Sequence, residues 1–256
     1  MGEWVIKEQF DTDKHAMVLS EDGSYTAYSS EYQEHYHSTK DGALQESLQK
    51  HVIPTFELIE KKCSLHILDI CFGLGFNTLA TIYYHQKYHY DCKLHIYSPE
   101  LDLELIDSLQ NFTYPKEFDS IKHIILALSK EKVYQDDNLF IEIFVGDARE
   151  YVRGFDGVFD IVYQDAFSPK TNPVLWSLEY FAEIKKAMRS EGVLSTYSTA
   201  LATRLALYEN GFNLYIYRTQ GCRNSTIASL EEIKSLEKVD MEHKIACNKD
   251  VKALRD

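Results

Sequence analysis

The apolar positions change period along the chain. Before residue 30 they fall in short runs: Val5-Ile6, Ala16–Leu19 and Tyr25–Tyr28, the last two flanking Glu21-Asp22-Gly23-Ser24. Asp-Gly between such runs is a strong hairpin signal, so a small N-terminal β-hairpin is predicted. From Ala43 to Glu60 the spacing turns helical, through Leu44, Leu48, Val52, Phe56 and Ile59, with Pro54 expected to kink the helix.

From Leu65 strands and helices alternate. The predicted strands are Leu65–Ile70, Leu94–Tyr97, Phe140–Val145, Val158–Tyr163 and Val193–Tyr197, separated by helices at Phe76–Gln86, Leu101–Leu109, Glu117–Leu128 and Val174–Met188. A helix at Ala200–Glu209 leads to Asn213–Tyr217 and Ser225–Ser229, two strands with no helix between them. Such alternation requires right-handed crossovers. The expected class is therefore α/β: a doubly wound, mostly parallel, Rossmann-like sheet with an antiparallel C-terminal edge hairpin. The expected divisions are a hairpin-and-helix extension over 1–60, the sheet domain over 61–230, and a polar tail over 231–256, solvated as a helix or disordered.

Composition narrows the function. No apolar run approaches the roughly 20 residues of a membrane span. The start, Met1-Gly2-Glu3-Trp4, lacks the basic and apolar regions of a secretory signal. The five cysteines are scattered with no Cys-x-x-Cys pair, so reduced thiols in the cytoplasm are expected. The formal net charge of −13 repels polyanions, so bulk charge does not suggest a nucleic-acid partner; a local basic patch would be needed. His35-x-His37 offers two ligands where a metal site needs three or four, and no metal is expected.

Three predicted strand ends carry candidate chemistry. Phe72-Gly73-Leu74-Gly75-Phe76-Asn77 follows the first strand and opens a helix. Its glycines let backbone approach a ligand, and the helix N-terminus offers free N–H groups. Thr78 breaks the Gly-x-Gly-x-x-Gly pattern of dinucleotide sites. Glu100 ends the next strand, where a carboxylate can accept both ribose hydroxyls; alone, it would equally be an N-cap. Asp147 ends the third strand, placed to accept from an adenine amino group, with the Ala148 N–H reaching a ring nitrogen. Together they describe a site for adenosine without phosphates, at the carboxyl ends of strands where open α/β sheets bind ligands.

The next strand ends in Asp165-Ala166-Phe167-Ser168-Pro169-Lys170-Thr171-Asn172-Pro173-Val174-Leu175-Trp176. Here the chain resembles the MnmC family, whose methyltransferase part completes 5-methylaminomethyl-2-thiouridine at the tRNA wobble position. The resemblance extends to Asp22-Gly23-Ser24, Tyr36-His37-Ser38, Gly42-Ala43 with Glu46-Ser47, the Phe72–Asn77 loop, Ser195–Ser198, Arg204 and Asn210-Gly211-Phe212. Cys71 stands where the family usually carries glycine, Pro99 where it has a larger residue, and Gly221–Thr226 holds fewer positive charges than the family's segment.

The resemblance implies a methyltransferase using S-adenosylmethionine, held by Phe72, Gly73, Gly75, Asn77, Glu100, Asp147, Ala148 and Asp165. It implies that Asp165 is catalytic, accepting a hydrogen bond from an aminomethyl group on the tRNA wobble uridine. Phe167 would wall the pocket, and Lys170 and Arg204 would meet substrate phosphates. A separate oxidase supplying the aminomethyl intermediate is the implied partner. Two rival activities suit the same fold: an aminopropyltransferase of the polyamine-synthase type, and a methyltransferase for a small amine or protein.

Overall fold

Asp22 shapes the first turn, its Oδ1 accepting the Ser24 N–H at 2.9 Å. The turn joins β1 (His15–Leu19) to β2 (Tyr25–Ser29), and β3 (Glu34–His35) adds antiparallel to β2. The computed structural model describes residues 10–88, 91–219 and 221–256, and the predicted Val5-Ile6 strand lies outside them. The predicted helix follows as α1 (Ala43–Ser47), a π-helical turn over Leu48–Val52, and α2 (Ile53–Leu58). Pro54 has no N–H to return to the Lys50 carbonyl, and the chain answers with a widened turn just before it.

Then come β4 (Ser64–Ile70), α3 (Phe76–Lys87), β5 (Lys93–Glu100), α4 (Leu103–Ser108) and α5 (Lys122–Glu131). They lead to β6 (Val133–Gln135), β7 (Leu139–Val145), α6 (Ala148–Val152) and β8 (Phe159–Gln164). The chain continues through α7 (Leu178–Ala187), β9 (Met188–Thr196), α8 (Leu201–Glu209), β10 (Asn213–Tyr217) and β11 (Ser225–Ser229). It closes with β12 (Glu237–Lys238) and α9 (Met241–Cys247).

Among the described residues nine strands form one sheet, in the order β12-β10-β11-β9-β8-β4-β5-β7-β6. The run from β7 through β5, β4 and β8 to β9 is parallel, and the flanking strands are antiparallel. The expected doubly wound architecture is borne out. The C-terminal hairpin is inserted with its second strand inside: β11 pairs with β9, and β10 lies beyond it.

Strand alternation divides the core. Leu65 and Ile67 face a cluster with residues of α3, α4 and α5, whereas Leu68 and Ile70 face one built from α6, α7 and α8. Phe10, Ala27, Val52 and Phe56 belong to the first cluster, so the N-terminal hairpin and helix share the core of the sheet. The charged C-terminal segment also packs back. β12 pairs with β10, Val239 and Met241 are buried, and Ser177 Oγ donates to Asp256 Oδ1 at 2.6 Å.

Candidate active site

From β4 the chain goes one way to β5 and β7; β8 and β9 lie on the other side. The reversal leaves a crevice at the carboxyl ends of the strands. A cavity of ≈ 1070 Å³ opens there, and Gly73, Glu100, Asp147 and Asp165 all line it. Phe72, Asn77, Ala148 and Phe167 line it too.

The turn after β4 is tight because three of its residues are left-handed: Cys71 at φ 65°, Gly73 at φ 54° and Gly75 at φ 76°. Gly75 caps α3 without lining the cavity; a Cβ there would stand 2.7 Å from the Phe72 ring. The Gly73 N–H donates to Glu100 Oε2 at 2.8 Å, and the Asp102 N–H donates to Oε1 at 3.0 Å. Burial pushes the Glu100 carboxyl above its usual range, against the backbone donors that hold it down.

Cys71 shows why glycine is usual at this place. An L-residue in the left-handed region costs roughly 1–2 kcal/mol, partly offset by the greater chain entropy glycine loses on folding. Cys71→Gly is therefore expected to stabilise the fold by about 1 kcal/mol in urea unfolding. An unchanged or lower midpoint would contradict the strain argument.

Asp147 is engaged on the protein side. Its Oδ1 caps α6 by accepting the Arg149 N–H at 2.8 Å, and Arg149 Nη2 donates to Oδ2 at 2.9 Å. The Arg149 bonds, outweighing burial, hold its carboxyl below the usual range. One lone pair of Oδ2 remains for a further donor.

Asp165 follows β8 and is gripped from two sides. Asn77 Nδ2 donates to Oδ2 at 2.8 Å, and His51 Nε2 stands 3.4 Å from Oδ1. Burial pushes the Asp165 carboxyl up, but His51, His37 and Asn77 together pull it below its ordinary value. Behind them lies Asp69, fully buried, accepting from Thr78 Oγ1 at 2.7 Å and more loosely from Asn77 Nδ2 at 3.4 Å. Its burial pushes the carboxyl up to about 7.

The loop from Asp165 to Trp176 is pinned by its own carbonyls: Tyr197 Oη donates to Ala166 O at 2.9 Å, and the buried Trp176 indole N–H to Phe167 O at 2.8 Å. The N-terminal hairpin roofs it. Tyr32 stacks on Phe167 with ring centroids 4.5 Å apart, and Glu34 accepts from Ser168 and Thr171. His15 ties the same hairpin to Asp102 at 3.1 Å.

Two expected substrate contacts stand elsewhere. Lys170 is exposed and does not line the cavity. Arg204 is buried and turned inward, its Nε and Nη2 both on Thr226 Oγ1 at 3.2 and 3.0 Å, because α8 presents it to β11. Sequence reading gave no role to His51, Asp69, Tyr32 or Glu34. A histidine beside Val52 on the helical stripe was the available signal for His51.

Residues 117–231 match a family described as S-adenosyl-L-methionine-dependent methyltransferase. An uncharacterized protein of Methanocaldococcus jannaschii is 34% identical over 213 residues, 82% of this chain and 57% of the relative. The tRNA 5-methylaminomethyl-2-thiouridine biosynthesis bifunctional protein MnmC of Psychrobacter cryohalolentis is 24% identical over 253 residues, 84% of this chain and 35% of that protein. The chain thus spans little more than half the length of the first relative and about a third of the second. The crystal structure of MnmC2 from Aquifex aeolicus superposes with a TM-score of 0.80 at 28% identity, covering 96% of this chain and 80% of that one. The strand-end cleft and these likenesses agree: the chain is an MnmC-like, S-adenosylmethionine-dependent methyltransferase domain.

Proposed function

We propose that this domain N-methylates the aminomethyl group of 5-aminomethyl-2-thiouridine at the tRNA wobble position. The observation that carries the reading is Asp165, an ionised carboxylate in the same cavity as Gly73, Glu100 and Asp147. Kinship to the MnmC proteins supports the substrate.

The residues present fit the cofactor. Glu100 and Asp147 keep lone pairs for ribose hydroxyls and an adenine amino group, with the Ala148 N–H beside them. Gly73 has no room for a side chain beyond a Cβ, which would already stand 3.2 Å from the Tyr36 ring. Among the described residues the buried Asn77 Oδ1 has no hydrogen-bond partner, so it suits the methionyl ammonium. Phe72 and Gly75 shape the turn around that end.

Bound S-adenosylmethionine supplies a methyl group on a sulfonium sulfur, for which an in-line nucleophile and a dry pocket suffice. Asp165 accepts a hydrogen bond from the substrate amine and turns its lone pair toward the methyl group. With the cofactor bound, N–C bond formation would accompany S–C cleavage, and the nitrogen's surplus proton would leave to water. Phe167 walls the amine's side of the cavity. Carboxylates there, Glu34 and Asp165, favour a cationic or partly cationic group, so the nucleotide's phosphates stay outside. An oxidase that generates the amine stands upstream of this reaction.

The test is methyl incorporation from labelled S-adenosylmethionine into tRNA carrying 5-aminomethyl-2-thiouridine, beside unmodified tRNA. Label is expected in the first alone, as the 5-methylaminomethyl nucleoside. Equal labelling of both, or of neither, rejects the substrate.

A further inference from the structure

The π-helical turn Leu48–Val52 buries three successive residues, Lys50, His51 and Val52, where a regular helix would turn some of them outward. Such turns are rare and often sit at functional sites. This one carries His51, which has no exposed surface. Its Nδ1 lies 3.0 Å from Ser195 Oγ on β9, and its Nε2 stands 3.4 Å from Asp165 Oδ1 with no other partner among the described residues.

The chemistry of the two ring nitrogens selects a tautomer. If the Ser195 hydroxyl donates to Nδ1, the proton sits on Nε2 and points at a carboxylate. The opposite tautomer would set a bare lone pair against that negative charge. The 3.4 Å separation is long for a hydrogen bond, as catalytic contacts often are before substrate closes them. Around the pair stand Asp69 from β4, Tyr163 from β8 and His37 after β3, with Glu46 and Lys50 acting on His37.

We infer that His51 is a positioning residue: with its tautomer set by Ser195, it holds one oxygen of Asp165 while Asn77 holds the other, fixing the plane in which the carboxylate meets the substrate amine. This rests on the reading of Asp165 as the group that meets the amine.

Two measurements test it. In 15N NMR of the histidine-labelled protein, His51 is expected as the Nε2–H tautomer, with its ring signals displaced in Asp165→Asn. An Nδ1–H tautomer, or signals unmoved by Asp165→Asn, overturns the inference without any acceptor substrate.

In turnover with tRNA carrying 5-aminomethyl-2-thiouridine, His51→Leu is expected to lower kcat about 10–100-fold, the scale of a misplaced reacting group. KM for both substrates should stay within about threefold. His51→Gln, which keeps a donor, should recover part of the loss. Should His51→Leu fail to fold, Ser195→Ala, which frees the tautomer, should still lower kcat severalfold. Folded His51→Leu with kcat within twofold overturns the inference. If Asp165→Ala itself keeps full turnover, the reading of Asp165 fails instead, whatever His51 does.

Discussion

Asp165→Asn is expected to lower kcat by about 10²–10³-fold, the range for removing one preorganised electrostatic contact to the transition state, while S-adenosylmethionine affinity changes only a few-fold. Asparagine keeps the shape and one acceptor but removes the charge. That charge matters because of what Asp165 cannot do. An alkylammonium resembling lysine has a pKa of about 10, so its neutral form costs about 4 kcal/mol at pH 7. A carboxylate held below its ordinary value by His51, His37 and Asn77 is a poor sink for that proton. Asp165 therefore works as a fixed negative charge beside a nitrogen that becomes positive in the transition state. Two results follow together. The acceptor's kcat/KM should rise with pH toward the amine's own pKa, and Asp165 should impose no limb near neutrality. Asp165→Asn with turnover within twofold of wild type and normal cofactor binding would remove the residue from the mechanism.

How far the sequence discloses this site depends on distance along the chain. Glu100, Asp147 and Asp165 each lie at or just beyond the end of a strand, and the parallel sheet converts that local position into a shared cleft. Strand β8 is buried along its whole length and reads as a near-continuous apolar run, the sign of a central parallel strand. The strands β6 and β12 were missed because three and two residues carry no periodicity. The helices predicted at Glu117–Leu128 and Val174–Met188 begin as 3-10 turns, at Lys116–Ile121 and Pro173–Trp176, because proline stands at each entry. The roof of the cleft was hidden for a different reason. His51 reaches Asp165, and Glu34 reaches Ser168, only through tertiary packing that no local pattern encodes. Arg204 was misread for the same reason: its helix was legible, but the face that carries it was not.

Asp69 supplies the largest expected effect on stability, and its sign can be worked out. Its carboxyl rises from 3.8 to about 7 in the folded chain, because burial outweighs the donors Thr78 and Asn77. The folded protein therefore binds this proton more tightly than the unfolded chain does. The resulting stabilisation is complete below the unfolded value and is lost as pH rises through about 7. At about 1.4 kcal/mol per unit, roughly 3 kcal/mol of it disappears between pH 5 and pH 8. Asp69→Asn cannot ionise, and its amide still meets the Thr78 hydroxyl. Urea unfolding of the two proteins should give similar stabilities near pH 4–5. By pH 8 the variant should be the more stable by about 3 kcal/mol. The neighbouring Asp165, ionised throughout this range, is common to both proteins and cancels in the comparison. A stability difference between Asp69→Asn and wild type that is the same at pH 5 and pH 8 would mean that Asp69 stays charged in the core.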